Sequence, residues 1–547
     1  MRLAETAGEW DGFPLNRPMT NEALYVELVS RLKRAHVLGT VNGLISWDEQ
    51  VNLPPDSADL RAEQLALMAE LQHAAASDPR IGGLLTELEG REGTPGRSEG
   101  ESARPAVAPY PPDEAKAGAL TADQRVVVTR SRRDYDRVVK LPPEFVRERA
   151  RHSSESFHAW ARCKAASDFG GYAPYLDKQL ELAKREAGYL GFAATPYDYM
   201  IDRHDPGMTA AVIERLFGEL REGLVPLVRE IVSSPVKPRA GIFRGFPVAG
   251  QRAFLHFVTE RLGLNYRRGR IDVSLHPFCE GSGADIRMTT RFDEDNPLNS
   301  LFSSIHETGH GLYEQGLRLE DQGTPLGQAV GMGVHESQSR LWENQVARSR
   351  GFWRFFEPHF REAFPAQLGA ISSDELYLAV NAVRPTLIRV DADEVTYNLH
   401  IILRFEIEKR LFAGTLAVAD LPAAWSALAE ELLGLTPPND RVGALQDVHW
   451  SGGMFGYFPS YCLGNMMASQ LWYKAQGELP GLEDDFSRGD FSRLLGWLRR
   501  NIHEQGRRHD TQELVKVVTG EPLTPAYLLR YLRERYLPLY RGDTQRR

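Results

Sequence analysis

The residues with the clearest chemistry are His306-Glu307-Thr308-Gly309-His310. Side chains four apart on a helix lie about one turn from each other on one face, so both imidazoles reach a single ion. Glu307 sits about 100° round from His306, where it takes a proton from a water without ligating the metal itself. Catalytic zinc usually has three protein ligands and one open position. Glu336, in the run His335-Glu336-Ser337-Gln338-Ser339-Arg340, is the candidate for the third ligand. That run opens a second predicted helix, and Gly323, Pro325, Gly327, Gly331 and Gly333 before it turn the chain back. Two antiparallel helices then share the ion.

Several elements must position this group. Asn296 followed by Pro297 predicts the start of the first helix, and Leu298, Leu301, Phe302, Ile305 and Leu312 repeat at helical spacing along it. Just before it, Ile271, Val273 and Leu275 alternate, as do Ile286, Met288, Thr290 and Phe292, with Gly281-Ser282-Gly283 between. This predicts a β-hairpin beside the metal helix, with an edge that can hold an extended peptide. The rest of the pattern is helical. A long antiparallel hairpin is expected from Thr20 to Ala76, broken at Pro54-Pro55, with Trp47-Asp48 read as a packed indole and a helix cap. Helices are expected over Gln124–Glu186, Thr209–Ser234 and Val248–Leu262. A helix pair around Arg384-Pro385 should span Glu375–Leu411, with further helices through Met466 and Gln470, Trp497–Gln505 and Pro525–Tyr536. The run Arg130-Ser131-Arg132-Arg133 reads as a solvated face. From Gly90 to Gly118 the composition shifts to Gly, Pro, Ser and Glu, which cannot offset its ordering entropy; residues 90–118 are expected to be a disordered insertion in one domain spanning 1–547.

The 547 residues carry 65 Lys and Arg against 74 Asp and Glu, a net charge of −9 that argues against nucleic acid or acidic membranes as partners. Cys163, Cys279 and Cys462 are the only cysteines, so a disulfide framework and thiol chemistry are not expected. With no signal-peptide pattern and no apolar run of membrane-spanning length, the expectation is a soluble cytoplasmic protein.

Six motifs stand in one order: His276-Pro277-Phe278, Asp285-x-Arg287-x-Thr289, His306-Glu307-x-x-His310, His335-Glu336-Ser337, Ile388-Arg389-x-x-Ala392-Asp393 and Gly443-x-x-Gln446. In this the chain resembles the carboxypeptidase Taq (thermostable carboxypeptidase 1) family of metallocarboxypeptidases, from about Asn21 to the C-terminus, and departs from it mainly in the Pro-rich stretch around Pro105. The resemblance implies a mostly α, saddle-like subunit with a deep central groove and a small β-sheet beside the H-E-x-x-H helix, usually a homodimer. It also implies Zn2+ or Co2+ as cofactor and release of single C-terminal residues from peptides, with broad tolerance but poor action on proline.

An exopeptidase must hold a free carboxylate, which a buried guanidinium does best through two parallel hydrogen bonds. Arg389 is the first candidate and Arg287 the second. The competing role for either is a salt bridge to Asp391, Asp393 or Asp285 that only braces the groove. A tetrahedral intermediate needs donors for its oxyanion; Tyr461 is the candidate, with His276 next, and packing alone would also explain Tyr461. Gln446, Asp447, His449, Gln470 and His503 are candidates for lining the groove. Two other functions share some of these features: a zinc endopeptidase or dipeptidase of related helical fold, and a non-enzymatic peptide binder with a relic site.

Overall fold

The computed structural model describes residues 19–91, 119–274 and 277–541. The chain is mostly α, with one three-stranded sheet among the described residues. Eight helices come first: α1 (Asn21–Val51), α2 (Ala58–Ala76), α3 (Pro79–Arg91), α4 (Ala122–Val139), α5 (Pro143–Ala166), α6 (Phe169–Tyr189), α7 (Pro196–Asp202) and α8 (Ala210–Ser233). α9 (Val248–Leu262) leads into β1 (Gly269–Val273), β2 (Cys279–Ser282) and β3 (Asp285–Thr290). The two central helices are α10 (Pro297–Gly316) and α11 (Met332–Arg340), and α11 continues into a π-helical turn, Leu341–Val346. Then follow α12 (Arg350–Ala363), α13 (Pro365–Leu368), α14 (Ser373–Val380), α15 (Tyr397–Ala413), α16 (Leu421–Leu433), α17 (Phe458–Glu478), α18 (Leu482–Ser487), α19 (Ser492–Asn501), α20 (Thr511–Thr519) and α21 (Ala526–Arg541).

The expected break at Pro54-Pro55 separates α1 from α2, and these helices pack on each other. The strands differ from the expectation. Ile271 and Ile286 do not belong to one hairpin: β1 runs parallel to β3, with Gly269 opposite Ile286 and Val273 opposite Thr290. The hairpin is β2–β3, antiparallel, with Cys279 opposite Met288. Alternation identifies strands but not their partners; the short β2 reverses at Gly283 and sends β3 back between itself and β1. The predicted helix pair over Glu375–Leu411 is also interrupted. α14 ends at Val380 and α15 starts at Tyr397, because Pro385 disfavours helix at Arg384 and the Asp393 carboxylate accepts the backbone N–H groups of Arg384, Val395 and Thr396. The Ile388–Asp393 motif therefore lies in a tied loop.

The basic run on α4 is not a solvated face. Arg130 is buried and pairs with Asp510, Arg132 with Glu89, and Arg133 with Asp202, so these arginines join α4 to neighbouring elements. Of the stretch 90–118, Gly90 and Arg91 end α3, and residues 92–118 lie outside the described residues.

Sheet parity sorts the residues around the centre. Ile286 and Met288 are fully buried and face α10, where a Cβ added at Gly311 would touch both. Arg287, between them, points to the other face and stacks on Trp47 of α1, which lies 4.6 Å from it and 5.1 Å from Arg270. Trp47 is thus the packed indole expected, but Asp48 lies inside α1 and is not a cap; its carboxylate accepts from Asn52 and Arg61.

Candidate metal centre

α10 starts with Pro297 in its first turn as expected, although the Asn296 side chain makes no capping hydrogen bond. Leu301, Phe302, Ile305 and Leu312 are buried and fix the helix in the core, which turns His306 and His310 toward α11. The two helices approach closely at Gly309, where any Cβ would lie 2.5 Å from the Cα of Ser339. From behind, α17 presses Gly464 against Glu336, again with no room for a Cβ. The Gly464 contact is with Cβ and Cγ of the Glu336 side chain.

The Glu336 carboxylate goes to the histidines. His306 Nε2 and His310 Nε2 each lie 3.5 Å from Glu336 Oε2, and the ligand atoms of the three residues all fall within 4.8 Å of one another. The outer nitrogens are already used: His306 Nδ1 meets Glu343 Oε2 at 2.9 Å and His310 Nδ1 meets His335 Nδ1 at 2.5 Å. With the ring proton of each on Nδ1, both Nε2 lone pairs face Glu336, so two imidazoles and one carboxylate converge, a donor set suited to a divalent ion.

The electrostatics agree with ligand roles at Glu336 and His310, whereas Glu336 and Glu343 outweigh burial at His306 and raise it, so that an ion bound there displaces a proton. Burial alone would raise the Glu336 carboxyl, but Arg340 and His306 outweigh it and hold it well below the usual carboxylate range. Arg340 donates from Nε to Glu336 Oε1 at 2.6 Å and from Nη1 to Glu343 Oε2 at 3.1 Å. Burial pushes His310 down to about 3, which keeps it neutral as a ligand must be. Burial also raises Glu307 to about 7, with His306 pulling down and Glu336 pushing up. A carboxylate poised there suits a general base near neutral pH.

A second cluster lies beside the first. Arg389 donates from Nε and Nη2 to Asp447 Oδ1 at 3.0 and 2.9 Å and from Nη1 to the Tyr397 hydroxyl at 3.0 Å. Its ion-pair partner is thus Asp447 rather than Asp391 or Asp393. Arg404, fully buried, takes the other Asp447 oxygen through Nε at 2.7 Å and also meets Gln446. Two guanidinium groups on one carboxylate leave a net positive charge. Tyr397 joins the clusters, since its ring lies under the Arg340 guanidinium at 4.4 Å while its hydroxyl accepts from Arg389. Tyr461 packs its ring 5.1 Å from Arg389, and its hydroxyl meets His449 Nε2 at 3.3 Å.

The structure therefore brings together His306, Glu307, His310, Glu336, Arg389 and Tyr461, with Gln446, Asp447 and His449 around them. It does not bring Arg287 to this group: that side chain pairs with Asp285 at 2.7 and 2.9 Å on the far face of the sheet. His276 lies outside the described residues, although its flanks are held, with Ser274 donating to Thr289 Oγ1 and Phe278 N–H to the same oxygen. Gln470 ties α17 to the segment after α20, and His503 is buried against Gln338; neither lines the centre. Glu314, Glu343, Arg340 and Tyr397 were not singled out from the sequence. Helical spacing held the signal for three of them, as Glu314 follows His310 by four positions and Arg340 and Glu343 follow Glu336 by four and seven.

A helical fold that converges an H-E-x-x-H pair and a following glutamate on one point defines a metallopeptidase. The model of the carboxypeptidase Taq (M32) metallopeptidases matches residues 27–536, and the chain belongs to that family. Thermostable carboxypeptidase 1 of Thermus thermophilus is 41% identical over 534 residues, covering 95% of this chain and 100% of that protein. Carboxypeptidase 1 of Bacillus subtilis is 36% identical over 517 residues, covering 94% and 98%. The crystal structure of the M32 carboxypeptidase from Deinococcus radiodurans R1 superposes with a TM-score of 0.87 at 42% identity, covering 94% of this chain and 99% of that one. The chain is accordingly a hydrolase of peptide bonds from a family of metallocarboxypeptidases that use a divalent metal. None of its described helices is long and apolar enough to cross a membrane.

Proposed function

We propose that the protein removes single C-terminal residues from peptides, with His306, His310 and Glu336 as ligands of Zn2+, Co2+ being an alternative. The observation that carries this reading is the convergence of two imidazole Nε2 atoms on Glu336 Oε2, with the outer nitrogen of each ring engaged and a buried carboxylate, Glu307, next in sequence. A divalent ion held there supplies a Lewis acid for the scissile carbonyl and a lowered pKa for water. Glu307 takes the proton of the attacking water and delivers it to the leaving amine. Tyr461, supported by His449, donates to the oxyanion, with His276 as a further candidate. Arg389 binds the substrate carboxylate; it keeps surplus charge because Asp447 is shared with Arg404. Arg287, on the opposite face of the sheet, is the alternative anchor.

The family resemblance supports broad side-chain tolerance, poor release of proline and a homodimer, and the cysteine usage supports a cytoplasmic setting. The chain is read as one domain, 1–547, with the insertion at 90–118 outside the catalytic machinery. As Gly90 and Arg91 end α3, the test is deletion of residues 92–118, which should leave kcat/KM on short peptides within a fewfold, and loss of folding would refute that part.

The test of the function pairs metal analysis with mass spectrometry of a digested peptide pool. The parent should release residues one at a time from the C-terminus and cut amidated peptides only residually. Glu307→Gln should keep its metal and lose at least 10²- to 10⁴-fold in turnover, the usual worth of a general base. Glu336→Ala should instead lose metal. Turnover of metal-loaded Glu307→Gln near that of the parent would remove the base from the mechanism.

A further inference from the structure

His306 and His310 are braced differently. The outer nitrogen of His306 meets a carboxylate directly, that of Glu343, which Arg340 also grips. The outer nitrogen of His310 meets another imidazole, His335, whose far nitrogen lies 3.0 Å from Glu314 Oε1. The contact order runs from α10 to α11 and back to α10. Tyr313 packs its ring 5.0 Å from His335, which keeps the imidazole from swinging out of line. Among the described residues no arginine or lysine pairs with Glu314.

We infer that His335 and Glu314 form a two-step brace that orients His310 toward the ion, a positioning role that rests on reading His306, His310 and Glu336 as the ligands. With His310 as a ligand and His335 neutral, one placement of ring protons satisfies every contact. For His310 to offer a lone pair at Nε2, its proton must be on Nδ1, which then donates to His335 Nδ1. His335 must therefore be bare at Nδ1 and protonated at Nε2, and Glu314 Oε1 is the acceptor that holds it so. Remove that acceptor and His335 is free to place its proton on Nδ1, where two donors would face each other and turn His310 away. The sharing of work across two helices also couples the spacing of α10 and α11 to the aim of the ligand.

The experiment measures Zn2+ affinity of the metal-stripped protein by competition with a chromophoric chelator, alongside the visible spectrum of the Co2+-loaded form and thermal unfolding of the metal-free form. His335→Phe keeps the ring packing but has no acceptor, and should weaken Zn2+ binding about 10- to 100-fold, the usual cost of losing an outer-shell partner. His335→Asn places an amide oxygen near the lost Nδ1 and should recover most of that affinity. Glu314→Ala should weaken binding severalfold and alter the Co2+ spectrum, and Glu314→Gln, which keeps an acceptor, should lie closer to the parent. Metal-free unfolding should be the same in all four, which separates positioning from stability. If His335→Phe fails to fold, Glu314→Ala decides alone. Zn2+ affinity of Glu314→Ala and of any folded His335→Phe within about twofold of the parent would overturn the brace. A parent that binds no Zn2+ would instead overturn the ligand reading beneath it.

Discussion

Arg389 and Arg287 each hold a carboxylate through two nitrogens, yet the two pairs are built for different work. The Arg389 side chain is 7% exposed, and its partner Asp447 is shared with a second, fully buried guanidinium. Arg287 is 20% exposed, has Asp285 to itself, and lies on the face of the sheet turned from α10. Tyr397 connects Arg389 to the metal side through Arg340; Arg287 is connected to Trp47 and so to the N-terminal helices. A bidentate arginine is thus no mark of substrate binding by itself. What differs is whether the partner carboxylate neutralises the guanidinium fully and which side of the sheet the side chain takes.

The largest effect should follow from breaking the shared carboxylate. Asp447→Ala leaves two buried guanidinium groups facing each other without compensation, and losing one partner of a buried pair costs about 3–5 kcal/mol. Urea unfolding at pH 7 should show a stability loss of that order. A loss below about 1 kcal/mol would mean that water or a substrate anion already satisfies the arginines. Next in size, Arg389→Ala should lower kcat/KM on free-acid peptides by about 2–5 kcal/mol, because the substrate carboxylate loses a desolvated partner. Arg389→Lys should recover little, as one ammonium does not reproduce a planar fork. Residual cleavage of amidated peptides should not change. Equal losses on acid and amide would reduce Arg389 to a structural brace.

The contrast between these arginines shows what the sequence disclosed and where it stopped. The convergence of His306, His310 and Glu336 was legible because its information is local: the i, i+4 histidines, the glycine-rich turn and the following His-Glu-Ser fall within one short stretch. The parity of Arg287 carried a signal that its candidacy as a carboxylate anchor did not use, since the alternation of Ile286 and Met288 that marks the strand also sends Arg287 to the opposite face. Which face α10 would cover was not legible, for it depends on β3 slotting between β1 and β2, a pairing that alternation leaves open. The partner of Arg389 was hidden for a similar reason. Asp447 stands 58 positions away, while Asp391 and Asp393 are neighbours in sequence but are turned elsewhere by the loop that Asp393 ties. Helical character followed from period, and caps and breakers gave the bounds of α8 and α9 and the start of α10; α3, α7, α12 and α16 were not placed, and one expected stretch over Gln124–Glu186 is three helices.

The smallest effect should belong to Arg287, and it is the one that tests the comparison most sharply. Its ion pair with Asp285 is half open to water, which makes it worth about 1 kcal/mol or less. Stacking on Trp47 adds about 0.5–1 kcal/mol at such a site. Arg287→Ala should therefore cost about 1–2 kcal/mol of stability by urea unfolding, and Trp47→Leu together with it should cost less than the sum of the two single changes, since both remove the same contact. Metal content should be unchanged. On paired free-acid and amidated peptides the loss in kcat/KM should be within a fewfold and equal for both, because the sheet stands between Arg287 and the metal helix. A loss confined to free-acid peptides, with Arg389→Ala losing equally on both, would move the carboxylate anchor to the outer face of the sheet. Substrate would then have to pass between β2 and α1, and the Trp47 contact would become part of the binding path rather than a fastening of the N-terminal helices.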